Sequence, residues 1–139
     1  MKDDQHRAAE AAYITSPIHK ALGLVLKVDG EGGVRILYAG GPNAVNRSGN
    51  IAGGALAQMI DSAVVQACKS AIGPEDKTAT LELKVNYLRP APKGEGIVTT
   101  GTLEHLGRTT AVGIGRAVSD SGKLIALGTA TVSIRRAAG

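Results

Sequence analysis

The run Asn46-Arg47-Ser48-Gly49-Asn50-Ile51-Ala52-Gly53-Gly54 leads into a long Ala-rich apolar segment whose one acid is Asp61. A glycine pair at the mouth of a helix leaves backbone N–H groups without partners and lets a ligand come close. It can therefore cradle a developing negative charge. A single carboxylate on an otherwise bland helix is then the candidate group for the chemistry.

These residues need elements to hold them. From Ile51 to about Ala71 the pattern predicts a helix, apolar over most of its circumference and hence buried, with Gln58, Asp61, Ser62, Gln66, Lys69 and Ser70 mainly on one stripe and Gly73-Pro74 as the stop. Before it, residues 1–12 read as a short helix or a frayed arm. Ser16-Pro17 opens a short helix closed by Gly23, and two strands follow at Leu24–Val28 and Val34–Tyr38. After it come four strand-like segments: Thr78–Tyr87, Gly96–Leu106, Thr109–Ser119 and Lys123–Ile134. In the first, Ala79, Leu81, Leu83, Val85 and Tyr87 alternate with polar residues. Short turns at Gly107-Arg108 and Asp120-Ser121-Gly122 predict an antiparallel meander. Ala111, Gly113, Gly115 and Ala117 share one strand face, and Ala126, Gly128 and Ala130 share another, so a nearly flat sheet should approach the Ala-rich helix closely.

Composition narrows the function classes. At 139 residues one core is expected, and with no Phe, no Trp and three Tyr it must be built from small and aliphatic side chains. The net charge of +4 suits nucleic acid, a membrane surface or a phosphate-bearing small molecule alike. Scattered tyrosines without a recognisable nucleic-acid motif disfavour the first, and no apolar run approaches the roughly 20 residues that span a bilayer. Cys68 has no intrachain disulfide partner, and no signal-peptide pattern opens the chain, so a reducing cytoplasm is the expected setting. Cys68 itself reads as a small buried hydrophobe. His6, His19 and His105 show no metal-ligand spacing.

The segments NRSGNIAGGALAQMID, LELKVNYLRPAP and HLGRTTAVG followed by DSGKLIALGTATV resemble, in order and spacing, the hotdog-fold acyl-CoA thioesterases of the phenylacetate-pathway type, within the 4-hydroxybenzoyl-CoA thioesterase superfamily. The likeness spans roughly Pro17 to Ile134. It implies an α+β hotdog fold, a long central helix wrapped by a curved antiparallel sheet. Residues 1–16 would form an N-terminal arm and residues 17–139 a single hotdog domain. It further implies a homodimer, commonly joined into a tetramer, an acyl-CoA substrate, and no cofactor beyond the coenzyme A of that substrate. In that family the helix start usually reads H-G-G, with an Asn six residues before the His and an acid nine residues after it. Here those places hold Ala52, Asn46 and Asp61.

By that correspondence Asn46 orients the thioester or water, the Gly53 N–H stabilises the oxyanion, and Asp61 acts as general base or nucleophile. Thr80 falls where the family often places a hydroxyl that holds the attacking water. Gly54 with Arg89, Lys93 and Arg108 are the candidates for binding substrate, the three cations serving the phosphates of coenzyme A. Ala52 departs from the pattern, which keeps a non-catalytic acyl-CoA-binding protein of the same fold as the alternative. Simpler roles stand beside these: a turn for Asn46, close packing for the glycines, a polar strand face for Thr80, solvated charge for the cations.

Reach sets one further expectation. Gly53 and Asp61 are eight residues apart, roughly 12 Å along a helix, and an Asp side chain cannot close that gap. The glycine of one chain and the acid of another, on antiparallel helices, would have to share each reaction centre, and a two-fold dimer would hold two such centres.

Overall fold

The structure, a computed structural model, describes residues 2–138. Helix α1 (Lys2–Tyr13) and the short α2 (Pro17–Leu22) precede a hairpin of β1 (Leu24–Val28) and β2 (Val34–Tyr38). The long helix α3 (Gly53–Ser70) follows, then β3 (Lys77–Tyr87), β4 (Ile97–Leu106), β5 (Thr110–Ser119) and β6 (Leu124–Arg135). The expected boundaries hold to within a residue or two. Residues 2–13 take the helical alternative, and α1 is tied down: Tyr13 is buried and stacked on the His19 ring, and the Glu10 carboxylate accepts the Val28 N–H at 2.8 Å.

All six strands join one antiparallel sheet in the order β1-β2-β4-β5-β6-β3. The expected four-strand meander therefore needs correction. Only β4, β5 and β6 run as a meander, while β3 pairs with β6 and forms the far edge. The physical reason is that α3 and the loop after it carry the chain across the molecule before β3 begins. The Pro90–Gly96 connection then returns it to β4, which adds to β2 instead.

The flat faces read from the sequence lie against α3. A side-chain carbon on Gly113 would come within 2.7 Å of Val64 Cγ1, and one on Gly115 within 2.8 Å of Ile60 Cγ2. At Gly101 the obstacle is the carbonyl of Ala63 itself, so helix backbone lies directly on strand backbone. Ile60, Ala63, Val64 and Cys68 are wholly buried along this contact. Small residues here set the spacing of the layers, and any added methyl must displace main chain or a packed side chain.

A second correction concerns β3. The register against β6 shifts between Thr80 and Glu82, so that Leu81 has no opposite number. Beyond the shift Leu83, Val85 and Tyr87 lie opposite buried Ala130, Gly128 and Ala126; before it Thr78 and Thr80 lie opposite buried Ile134 and Val132. The bulge thus exchanges the two faces of the strand: Ala79 and Leu81 leave the inward set, and Thr80 joins it.

Candidate functional site

The inward turn of Thr80 brings its hydroxyl to Asp61, where Oγ1 donates to Oδ1 at 2.6 Å. The acid lies mid-helix on the flank of α3 beside the β3 edge of the sheet, on a stripe with Gly54, Ala57 and Val65 that stays partly or fully exposed. The polar stripe expected on α3 is accordingly split. Asp61 faces outward, whereas Ser62 is buried beneath α1 and α2, with Gln58 beside it. His19 Nδ1–H donates to the Tyr13 carbonyl at 2.8 Å, which leaves Nε2 to accept from Gln58 Nε2 at 3.2 Å. The same Gln58 nitrogen donates to Ser62 Oγ at 3.1 Å. Burial pushes the Tyr13 phenol up to about 12.

At the start of α3, Ala52 is the N-cap residue and supplies no side-chain hydrogen bond. Its carbonyl accepts from the N–H groups of Ala55 and Leu56. The N–H groups of Gly53 and Gly54, the first two of the helix, have no backbone acceptor among the described residues. Gly53 also packs tightly: its carbonyl accepts from the Tyr87 hydroxyl at 2.7 Å, and a Cβ at this position would lie 3.2 Å from Tyr87 Cζ. Sequence reasoning placed Tyr87 on the strand but gave it no part in the site. The available signal was its position as the one aromatic residue at the end of the strand that also carries Thr80.

Asn46 serves the loop that leads into α3. Its Oδ1 accepts from the N–H groups of Ser48 and Asn50, at 3.0 and 3.1 Å. The local turn role therefore occupies its oxygen and leaves the Nδ2 donor. Asn46, Gly53, Tyr87 and Arg89 line one open pocket of about 410 Å³. Lys93 is adjacent to it in the chain fold, with its N–H donating to the Gly49 carbonyl at 3.0 Å.

Within one chain the residues form two groups. Asn46, Gly53, Gly54, Arg89 and Lys93 gather around the N-terminus of α3, and Asp61 with Thr80 lies two helical turns further on, roughly 12 Å away. Arg108 belongs to neither. It sits in the β4–β5 turn, where the Thr109 carbonyl accepts from Ile134, while Leu88 and Arg89 bond to Ile125, and the nine residue steps of β6 from Ile125 to Ile134 span roughly 30 Å. Among the described residues no three His, Cys, Asp or Glu side chains cluster as a metal site, and no helix is long and apolar enough to cross a membrane. Cys68 is buried, and burial pushes its thiol up, away from the reactive thiolate.

Residues 48–126 match the family model described as the thioesterase superfamily. A putative thioesterase of Ralstonia eutropha JMP134, described as related to phenylacetic acid degradation, is 30% identical. The alignment covers 85% of this chain and 90% of that one, with a TM-score of 0.75. The PaaI protein of the Escherichia coli phenylacetic acid degradation operon is 25% identical over 99% of this chain and 95% of its own, with a TM-score of 0.82. A Bacillus halodurans protein whose crystal structure contains CoA shares the fold, with a TM-score of 0.80 at 19% identity over 99% of this chain and 91% of that one. No curated protein matches the chain by sequence.

Proposed function

The chain belongs to the thioesterase superfamily, and from that premise we propose that it hydrolyses acyl-CoA thioesters at centres shared between two copies of itself. The observation that carries this reading is the partly exposed Asp61 carboxylate on α3, held by Thr80 at 2.6 Å, two turns from a pair of glycine N–H groups that have no partner among the described residues. Asp61 takes a proton from water as the water oxygen bonds to the thioester carbon. The Gly53 N–H of the other chain receives the carbonyl oxygen as it becomes negative. Collapse of the tetrahedral intermediate breaks the C–S bond, and the proton held by Asp61 goes to the departing sulfur. Thr80 fixes one carboxylate oxygen, which leaves the other to face the water. The alternative in which the carboxylate attacks the thioester directly uses the same residues and gives an enzyme-bound anhydride that water then hydrolyses.

Several features support a second copy. Strand β3 is an edge strand whose outer side has no partner strand, and Leu81, Tyr87 and Leu88 on and after it are 62%, 52% and 49% exposed. Antiparallel helices that set Gly53 of one chain against Asp61 of the other must cross near Ala57, midway between them. The small side chains of Gly54 and Ala57 leave room for that approach. The loop residues Asn46, Arg89 and Lys93 would then receive the coenzyme A portion, and Arg108 could join them only from the other chain. A CoA moiety is present in the Bacillus halodurans protein of the same fold. Pairing of two such dimers through the outer sheet face, where Val112, Ile114 and Leu127 remain partly exposed, would give the tetramer.

Ala52 motivates the second reading, an acyl-CoA-binding protein without turnover, because its methyl cannot hydrogen-bond a thioester. Release of free thiol from a panel of acyl-CoAs separates the two. Turnover by the native chain that disappears in Asp61→Asn supports hydrolysis; saturable binding of the same acyl-CoAs with no thiol released establishes the binder. Light scattering that shows a monomer at the assay concentration would sink the shared centre.

A further inference from the structure

A second cavity, of about 490 Å³, lies between α1 and the C-terminal half of α3, within the range that takes small organic ligands. Asp61, Thr80 and the glycine pair do not line it. Its walls include Ala9, Ala12, Val28, Ile72 and the ring of Tyr13. Lys2 and Lys69, both exposed, supply positive charge at its walls, and half-buried His6 also lines it. Three of the acids nearby, Asp76, Asp29 and Glu10, accept backbone N–H groups. Asp76, which also lines the cavity, accepts the N–H groups of Gly73 and Ala137 and pairs with Arg136 at 3.3 Å. Asp29 accepts those of Glu31 and Gly33. Glu10 accepts that of Val28, so the helix forming the outer wall is fixed to β1.

An apolar interior with two lysines at its walls, where the one lining acid, Asp76, is paired with Arg136, is complementary to one class of ligand. We infer that this cavity binds an amphipathic carboxylate, an acid with an apolar body of about ten carbons lying along α1 and its carboxylate beside Lys69 and Lys2. The Tyr13 side chain lines the inner wall of the cavity. Its hydroxyl is buried and has no hydrogen-bond partner among the described residues. The inference concerns binding alone and does not depend on the hydrolase reading.

Amide NMR of the whole protein titrated with decanoate tests it. Decanoate should shift resonances of α1, Gln66–Ser70 and Ile72–Asp76 saturably, and 1-decanol and decyltrimethylammonium should bind at least tenfold more weakly, as expected for loss of one charge-assisted contact. Lys69→Glu, an exposed change that leaves the fold intact, should weaken decanoate about tenfold by the same arithmetic. Ala12→Phe, which fills the cavity from an exposed helix position, should abolish the shifts. No saturable shift, equal binding of the alcohol, insensitivity to Lys69→Glu, or shifts confined to Asn46–Leu56 and Leu88–Ala91 would each overturn it.

Discussion

The two long faces of α3 carry similar small residues and use them in opposite ways. Toward the sheet, Ile60, Ala63 and Val64 meet Gly101, Gly113, Gly115 and Gly128 so closely that there is no space for another carbon. On the flank beside the β3 edge, Gly54 is exposed and Ala57, Asp61 and Val65 are only partly buried, and Asp61 is held there by a hydroxyl delivered by a strand bulge. Close packing on the first face produces stability and fixes where the helix lies. The second face presents the acid and the helix N-terminus in positions the first face has made rigid. Substitutions on the two faces should therefore separate, one set costing stability and the other activity.

The largest expected effect is on the open face. Asp61→Asn should lower kcat/KM by about 10²–10⁴-fold, the usual contribution of a positioned base, while the thermal midpoint stays near that of the native chain. An equal loss of stability would show that Asp61 belongs to the packing after all. On the closed face, Gly101→Val forces a side chain against the Ala63 carbonyl and should cost about 3 kcal/mol in denaturant unfolding. A change of under half that value would mean the layers can part, and the contrast between the faces would weaken.

Smaller effects sharpen the boundary between them. Tyr87→Phe removes the hydrogen bond to the Gly53 carbonyl and should cost about 1 kcal/mol of stability, with a raised KM as the mouth of α3 loosens. Ala52→Ser supplies the missing cap by accepting the Gly54 or Ala55 N–H and should add about 1 kcal/mol in denaturant unfolding, while the Gly53 N–H proposed for the oxyanion stays free and turnover is little changed. Far from either face, the backbone N–H groups of Ala137 and Gly73 hold the Asp76 carboxyl below the usual carboxylate range, with Arg136 adding to them. A carboxyl whose folded-state pKa is lowered contributes stability above its unfolded pKa and loses it as pH falls through the folded one. Asp76→Asn should accordingly flatten the acid limb of stability against pH, measured by denaturant unfolding at a series of pH values, and leave activity unchanged.

The elements were legible because their signals are local. Alternation marked the strands, Gly73-Pro74 the end of α3, and Ala111-x-Gly113-x-Gly115-x-Ala117 the flat face that receives it. The spacing of Gly53 and Asp61 on one rod likewise followed from helix geometry alone. Strand partners were not legible, since β3 and β4 are neighbours in sequence yet lie at opposite sides of the β5–β6 pair. The direction of Thr80 was missed because a single unpaired residue, Leu81, reverses a period-two pattern without altering its composition. Tyr87 and the cavity beneath α1 were missed for a related reason, as both arise from elements distant in the chain.

The order of residues thus determined which segments are helix and strand, how small the residues between the layers must be, and how far the carboxylate lies from the glycine N–H groups along α3. Tertiary structure decided which strand lies at the open edge, that Thr80 faces Asp61 at 2.6 Å, and that Arg108 lies far from Arg89 in the same chain. The division is physical. Periodicity and reach are properties of a few consecutive residues, whereas register and pairing are set by the sum of contacts between segments that meet only once the chain has closed.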